Sequence, residues 1–234
     1  MFVISDTHGL RPIFKIIEKH DLKNINLIHC GDAGLGFQEI RKDVADLLEL
    51  DELLMEKNIK CYILKGNHDY KFFWDGSLRL PKFNNLHLIP DYMRLKIEDK
   101  MCLFVGGAIS IDRSTRMMDR TWDINEKFIL EPELLEKISG IDYVFTHSAP
   151  NFCEPVVFGD LVEYYHLQEK KLIGTDLKSE LKEERKQITD MYDILIKNND
   201  IQKWCFGHFH RSSYLNIQHT EFICLNINEL KEIK

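Results

Sequence analysis

Three short apolar runs near the amino terminus, separated by helical patterns, constrain the fold more than any other feature. Phe2-Val3-Ile4-Ser5, Asn26-Leu27-Ile28-His29 and Cys61-Tyr62-Ile63-Leu64 read as strands. Between the first two, Pro12 opens a helix carrying Ile13, Phe14, Ile16 and Ile17. Between the second and third, Ile40, Val44, Leu47, Leu48 and Leu54 recur at roughly helical spacing. A β-α-β-α-β order implies adjacent parallel strands joined by right-handed crossovers.

The middle of the chain is richer in strands: Leu86-His87-Leu88-Ile89, Arg94-Leu95-Lys96-Ile97 and Cys102-Leu103-Phe104-Val105, the last closing on Gly106-Gly107. Ile141-Asp142-Tyr143-Val144-Phe145 is a further strand of the buried type. A highly charged region follows, in which Leu177, Leu181, Ile188, Met191, Tyr192 and Leu195 mark one helix face opposite a solvated Lys/Glu-rich face. Strands near Lys203–Phe206, Ser213–Ile217 and Phe222–Leu225 finish the chain. The expectation is one domain over residues 1–234, with a helical insert at about residues 151–202.

Composition narrows the class. With 44% hydrophobic and 29% charged residues, the chain has the balance of a water-soluble globular protein rather than a disordered one. No apolar run reaches the length of a membrane span. Ser5-Asp6-Thr7-His8 follows Met1-Phe2-Val3-Ile4 at once, leaving no room for a secretory leader, so a cytoplasmic location and no membrane partner are expected. The six cysteines form no C-x-x-C pair and sit mostly in apolar runs, which points to buried free thiols. A net charge of −7 weighs against a surface coated for nucleic acid.

The polar residues that carry chemistry gather at strand ends. Asp6 and His8 follow the first strand, Asp32 the second, and Asn67, His68 and Asp69 the third. His147 follows the strand near residue 145, and His208 and His210 lie in Gly207-His208-Phe209-His210 after a later one. In open α/β sheets, ligands bind just beyond the carboxyl ends of strands. Imidazole and carboxylate together suit borderline divalent ions such as manganese, iron, nickel or zinc. In Asp6-x-His8 and His208-x-His210, alternate side chains point the same way if the backbone stays extended. Each motif alone has a plain alternative: a hydrogen-bonded structural histidine, a Gly-Asp turn, an Asx loop. Their joint order at strand ends is what singles them out.

With these residues the sequence resembles the calcineurin-like metallophosphoesterase superfamily, whose signature is D-x-H, G-D, G-N-H-[DE], H and G-H-x-H in that order. All five elements are intact between Asp6 and His210. The resemblance implies a four-layer α/β/β/α sandwich of two mixed sheets flanked by helices. It implies two divalent metal ions, manganese favoured and iron, nickel, cobalt or zinc as alternatives. Asp6, His8 and His210 would hold one ion; Asn67, His147 and His208 would hold the other; Asp32 would bridge them. A bridging hydroxide would then attack phosphorus, making the chain a hydrolase of phosphomono- or phosphodiesters. His68 would protonate the leaving group, and Asp69 would orient His68 or serve the fold alone. The implied partner is a phosphate ester, with nucleotide and nucleic acid left open as its carrier.

Departures from the family pattern also inform. Gly31-Asp32-Ala33-Gly34-Leu35-Gly36 lacks the G-D-x-x-D-R-G extension of the protein Ser/Thr phosphatases. The segment Gly106–Arg113 is similar to one in small bacterial and phage members. Arg211, next to His210, is the best candidate to clamp a substrate phosphate, followed by Arg113 and Arg116, for which an ion-paired role is favoured. Tyr70, Phe73 and Trp74 form either an aromatic wall or core, and Tyr164, Tyr165 and His166 lie where a lid would. A non-catalytic scaffold would be expected to lose ligands or the histidine of the third motif, and none is missing.

Overall fold

The computed structural model describes residues 1–119, 121–153 and 159–234. Its strands are β1 (Phe2–Ile4), β2 (Asn26–His29), β3 (Lys60–Ile63), β4 (Leu86–Leu88), β5 (Met93–Ile97), β6 (Lys100–Val105), β7 (Tyr143–Thr146), β8 (Lys203–Phe206), β9 (Ser213–Ile217), β10 (Thr220–Cys224) and β11 (Lys231–Glu232). The helices are α1 (Arg11–Lys19), α2 (Ile40–Glu56), α3 (Arg113–Met118), α4 (Pro132–Leu135), α5 (Asp160–Leu172) and α6 (Leu177–Leu195).

One sheet has the order β11-β1-β2-β3-β4 and the other β5-β6-β7-β8-β10-β9. Both are parallel inside, with antiparallel strands β11, β5 and β9 at their edges. Because β1, β2 and β3 step across the sheet in one direction, right-handed crossovers place α1 and α2 on the same face. The other face is left to pack on the second sheet.

The period-two alternation of the strands sorts their side chains into three apolar layers. Ile4, Leu27, Cys61 and Ile63 pack under Ile13, Ile17, Leu47, Leu50 and Leu54 of α1 and α2. Val3, Ile28 and Leu64 turn the other way and meet Phe104, Phe145, Cys205 and Ile223, forming the layer between the sheets. Leu103, Val144, Trp204 and Phe222 face outward beneath Ile188, Met191, Tyr192 and Leu195 of α6. The result is two mixed sheets face to face with helices outside both, the sandwich that the sequence led us to expect.

The apolar face predicted for α6 is buried at all six positions. In α2, by contrast, Ile40 and Leu48 are exposed, while Asp43 and Asp51 are buried. Asp51 explains itself: its carboxylate accepts the backbone N–H groups of Asn84, Asn85 and Leu86, tying α2 to the start of β4. All six cysteines are buried free thiols. No helix among the described residues is long and apolar enough to cross a membrane. Of the insert expected at about 151–202, residues 154–158 lie outside the described residues; the rest carries α5 and α6.

Candidate metal centre

Five parallel strands from both sheets end on one rim, and each hands over a motif there: β1 to Asp6 and His8, β2 to Asp32, β3 to Asn67 and His68, β7 to His147, β8 to His208 and His210. The backbone at these residues is not extended. Asp6, His8, Asp32, His208 and His210 all have positive φ, between 48° and 69°. The alternation expected along Asp6-x-His8 and His208-x-His210 is therefore replaced by left-handed turns, each costing about 1–2 kcal/mol for a residue with a Cβ. Aspartate and histidine tolerate this region better than most residues.

Neighbouring loops hold these turns in place. Both oxygens of Asp6 lie 3.0 Å from the His208 N–H, and the His68 N–H donates to Asp32 Oδ1 at 2.7 Å. Asp69 is buried and accepts four backbone N–H groups, from Asp32, Ala33, Leu35 and Gly66. It thus clamps the second motif to the third through backbone. Two glycines permit the approach. A Cβ on Gly66 would lie 2.0 Å from Asp32 Oδ1, and one on Gly207 would lie 1.9 Å from Ser5 Oγ.

The side chains form two adjoining groups. In the outer one, His8 Nε2 and His210 Nε2 are 3.1 Å apart, and His210 Nε2 is 3.4 Å from Asp6 Oδ1. In the inner one, His147 Nε2 lies 2.8 Å from Asn67 Oδ1 and 3.2 Å from Asp32 Oδ1, with the His208 ring against His147. Asp6, His8, Asp32 and His210 each offer a ligand atom, and these four atoms all lie within 4.8 Å of one another. Asp6 and Asp32 are buried, yet among the described residues neither pairs with a lysine or arginine. Buried carboxylates ringed by imidazoles form a donor set that borderline divalent cations occupy, so the residues fit a metal.

Burial would raise both carboxyls, but nearby imidazoles outweigh it. Asp6 is held down mainly by the His210 hydrogen bond, and Asp32 is held well down by His147. For His147, burial favours the neutral ring but the charge and hydrogen bond of Asp32 prevail, raising it to about 9. His208, buried next to that imidazole, is pushed down to about 3. Burial also lowers His68, against Asp32, with the Arg116 charge assisting. Its ring stacks on Phe37 and lies edge-on to His8.

A buried polar network backs Asn67, unannounced by any local pattern apart from Ser110 falling in the Gly106–Arg113 segment. Asn67 Nδ2 donates to Ser110 Oγ at 2.9 Å, and Ser110 Oγ donates to Glu126 Oε2 at 2.6 Å. Arg116 Nη1 donates to the same hydroxyl and to the Asn67 carbonyl, which makes Arg116 a buried brace. Arg113 takes the ion-paired role favoured for it over that of a phosphate clamp: it is 3% exposed and donates to both Glu169 and Glu180 through four bonds. A guanidinium so fully engaged by two carboxylates has little left for substrate. Arg211 is exposed and makes no ion pair among the described residues. Phe73 and Trp74 belong to the core beneath α1 and α2, with Trp74 Nε1 donating to the Ile63 carbonyl. His29 bonds Thr7 and stands outside both histidine groups.

A family model for calcineurin-like phosphoesterases matches residues 1–212. No curated protein sequence matches at a significant level. Among solved structures, the chain is similar to a 5'-nucleotidase described as putative from Staphylococcus aureus, with 15% identity and a TM-score of 0.48 over 97% of this chain and 48% of that one. It is similar to a phosphopantetheinyl hydrolase from Mycobacterium tuberculosis, with 15% identity and a TM-score of 0.45 over 97% and 89% of the two chains. It is also similar to a predicted phosphoesterase from Streptococcus pneumoniae, with 12% identity and a TM-score of 0.34 over 97% and 71%. With a family model matched from the first residue through the last histidine motif, the chain belongs to the calcineurin-like phosphoesterase family.

Proposed function

We propose that the protein is a dinuclear, metal-dependent phosphoesterase. The observation that carries this reading is the pair of buried, arginine-free carboxylates, Asp6 and Asp32, set among histidines on the rim of both sheets. Asp6, His8 and His210 would hold one ion, Asn67, His147 and His208 the other, with Asp32 between the two groups. When bound, two such ions would lower the pKa of water and neutralise charge on a phosphate ester; the family resemblance favours manganese, and the imidazole donors also suit iron, nickel or zinc.

The chain's own residues then have separable tasks. Asn67 presents its carbonyl oxygen because its amide nitrogen is committed to Ser110. His147 has its Nδ1 on the Cys30 carbonyl at 2.7 Å, which fixes the ring and leaves Nε2 toward Asn67 and Asp32. His68 is half-buried beside His8 and donates a proton to the departing alkoxide as the P–O bond breaks. Asp69 acts as a positioning residue through its backbone clamp. Arg211, next to His210 and exposed, meets the incoming phosphate. The cytoplasm suits the six free thiols.

The test is a metal titration of the purified chain with p-nitrophenyl phosphate and its bis-ester as substrates. Two equivalents of manganese should bind, turnover should follow the second, and chelation should abolish it. Inactivity across manganese, iron, cobalt, nickel and zinc would defeat the reading. His68→Ala should keep both ions and lose about a hundredfold in kcat on an alkyl phosphate ester, whose alkoxide needs the proton, and far less on p-nitrophenyl phosphate.

A further inference from the structure

A general acid has to aim its N–H at the leaving oxygen, and a histidine ring is not aimed by its own torsions, because the outer one is broad. The motif suggested Asp69 as the group that orients His68, but both Asp69 oxygens are taken by backbone N–H groups. Among the described residues the His68 ring makes no hydrogen bond and no ion pair; only its backbone N–H is bonded, to Asp32. Two other rings hold it instead. His8 meets it edge-on with centroids 4.9 Å apart, and Phe37 stacks on it at 5.7 Å with the planes 26° apart.

Phe37 is 40% exposed, yet the loop that carries it is tied down on both sides of the ring. The Gly36 N–H donates to Asp43 Oδ2 at 3.0 Å, and the Gln38 amide donates to Asp43 Oδ1 at 2.9 Å and to Asp46 Oδ2 at 3.0 Å. Asp43 is the second buried aspartate of α2, and this loop is what it anchors. Gly36 has a φ of 101°, and a Cβ there would lie 2.3 Å from Tyr70 Cδ2, so the loop is pressed against Tyr70. Tyr70 meets the Phe37 ring edge-on at 5.9 Å, and the guanidinium carbon of buried Arg116 lies 5.2 Å from the centre of that ring. A cation over an aromatic face is attracted by the ring quadrupole. The brace behind Asn67 therefore steadies Phe37 as well.

We propose that Phe37 is the positioning residue of the general acid, holding the His68 imidazole by ring stacking where a carboxylate would hold it by a hydrogen bond. The proposal rests on the phosphoesterase reading. Phe37 neither takes nor gives a proton: His68 N–H passes its proton to the alkoxide oxygen as the P–O bond breaks, and water returns one to the neutral imidazole. The task of Phe37 is to keep the imidazole plane fixed. Its loss is therefore felt in the proton-transfer step and not in metal or phosphate binding.

Two esters test it on the manganese-loaded full chain: butyl phosphate, whose alkoxide needs the proton, and p-nitrophenyl phosphate, whose anion leaves without one. Phe37→Leu, which keeps an apolar side chain, should lower kcat about tenfold on butyl phosphate and less than about twofold on p-nitrophenyl phosphate. KM and the number of bound manganese ions should not change. Phe37→Tyr, which keeps the ring, should retain the parent rate. In a His68→Ala background, Phe37→Leu should cost nothing further. Equal losses on the two esters, no loss on butyl phosphate, or a loss that persists without His68 overturns the proposal. A second measurement needs no turnover. A stacked ring shields its neighbour, so Phe37→Leu should shift the His68 ring-proton resonances of the metal-free chain, whereas Phe37→Tyr should leave them in place. If neither ester is hydrolysed, the phosphoesterase reading has failed; if only p-nitrophenyl phosphate is, the acid role of His68 has. In both cases the resonances decide for Phe37, and a Phe37→Leu spectrum with His68 unmoved overturns its placement.

Discussion

The two groups of side chains at the rim differ in depth, and with depth comes a different way of being held. In the inner group, His147 is fully buried and Asn67 nearly so, and each is fixed from behind, by the Cys30 carbonyl and by Ser110. In the outer group, His8 and His210 are exposed, and among the described residues His8 bonds His210 and His210 also meets Asp6. The inner group is therefore fixed by contacts behind it, whereas the outer rings rest on each other and on Asp6. Asp32 belongs to both, which makes it the first place to break the distinction. Asp32→Asn should empty both positions and lower kcat/KM by about a thousandfold, roughly 4 kcal/mol of barrier. Metal analysis that still finds two ions in that variant would remove Asp32 from the joint.

Protons sharpen the same contrast in the metal-free protein. The folded pKa of His147 is raised from 6.5 to about 9, so its contribution to stability is complete below pH 6.5 and is lost as pH climbs through 9. The largest value of this contribution is on the order of 3 kcal/mol. His208 has the opposite sign: lowered to about 3, it resists a proton that the unfolded chain accepts, so stability falls as pH drops below 6.5. Thermal melts of the chelated protein, read as the difference from a His147→Gln, His208→Gln variant so that the buried carboxyls Asp69, Glu126 and Glu184, each raised to about 7, cancel, should therefore peak near pH 6.5. Loading with manganese should shift that peak upward, because the ion needs His147 neutral. A flat profile from pH 5 to 9 in the chelated protein would mean that the inner histidines do not feel each other or Asp32.

How much of this could be read from the sequence follows from the range of the interactions involved. Strand runs and the buried face of α6 are local periodicities, and both were legible. The motif residues were legible because five strand ends must meet if the strands are parallel and share a rim. The left-handed turns at Asp6 and His210 were not, since they are set by contacts such as Asp6 with the His208 N–H, 202 positions away. Glu126 gave no signal, because a glutamate in a polar loop looks solvated until Ser110 is seen against it. For Arg113 the favoured ion-paired role was legible but its partners were not: Glu169 and Glu180 are brought over by α5 and α6, far along the chain.

The smallest effects give the most discriminating pair of variants. Ser110→Ala removes the hydroxyl that Asn67, Arg116 and Glu126 share, leaving buried polar groups unpaired at a cost of about 1–3 kcal/mol. It should also loosen Asn67, so that one manganese equivalent weakens while the other is unchanged. His8→Ala removes an exposed ring that bonds His210 rather than a buried carboxylate, and the chelated protein should lose less than about 0.5 kcal/mol. It too should weaken one equivalent, but the other one. Urea unfolding of the chelated variants and metal titration of each therefore give two independent readings. If the halves differ as their depth implies, Ser110→Ala moves both readings and His8→Ala moves only the titration. If His8→Ala destabilises the chelated protein as much as Ser110→Ala does, the outer group is as prebuilt as the inner, and depth is not what separates them.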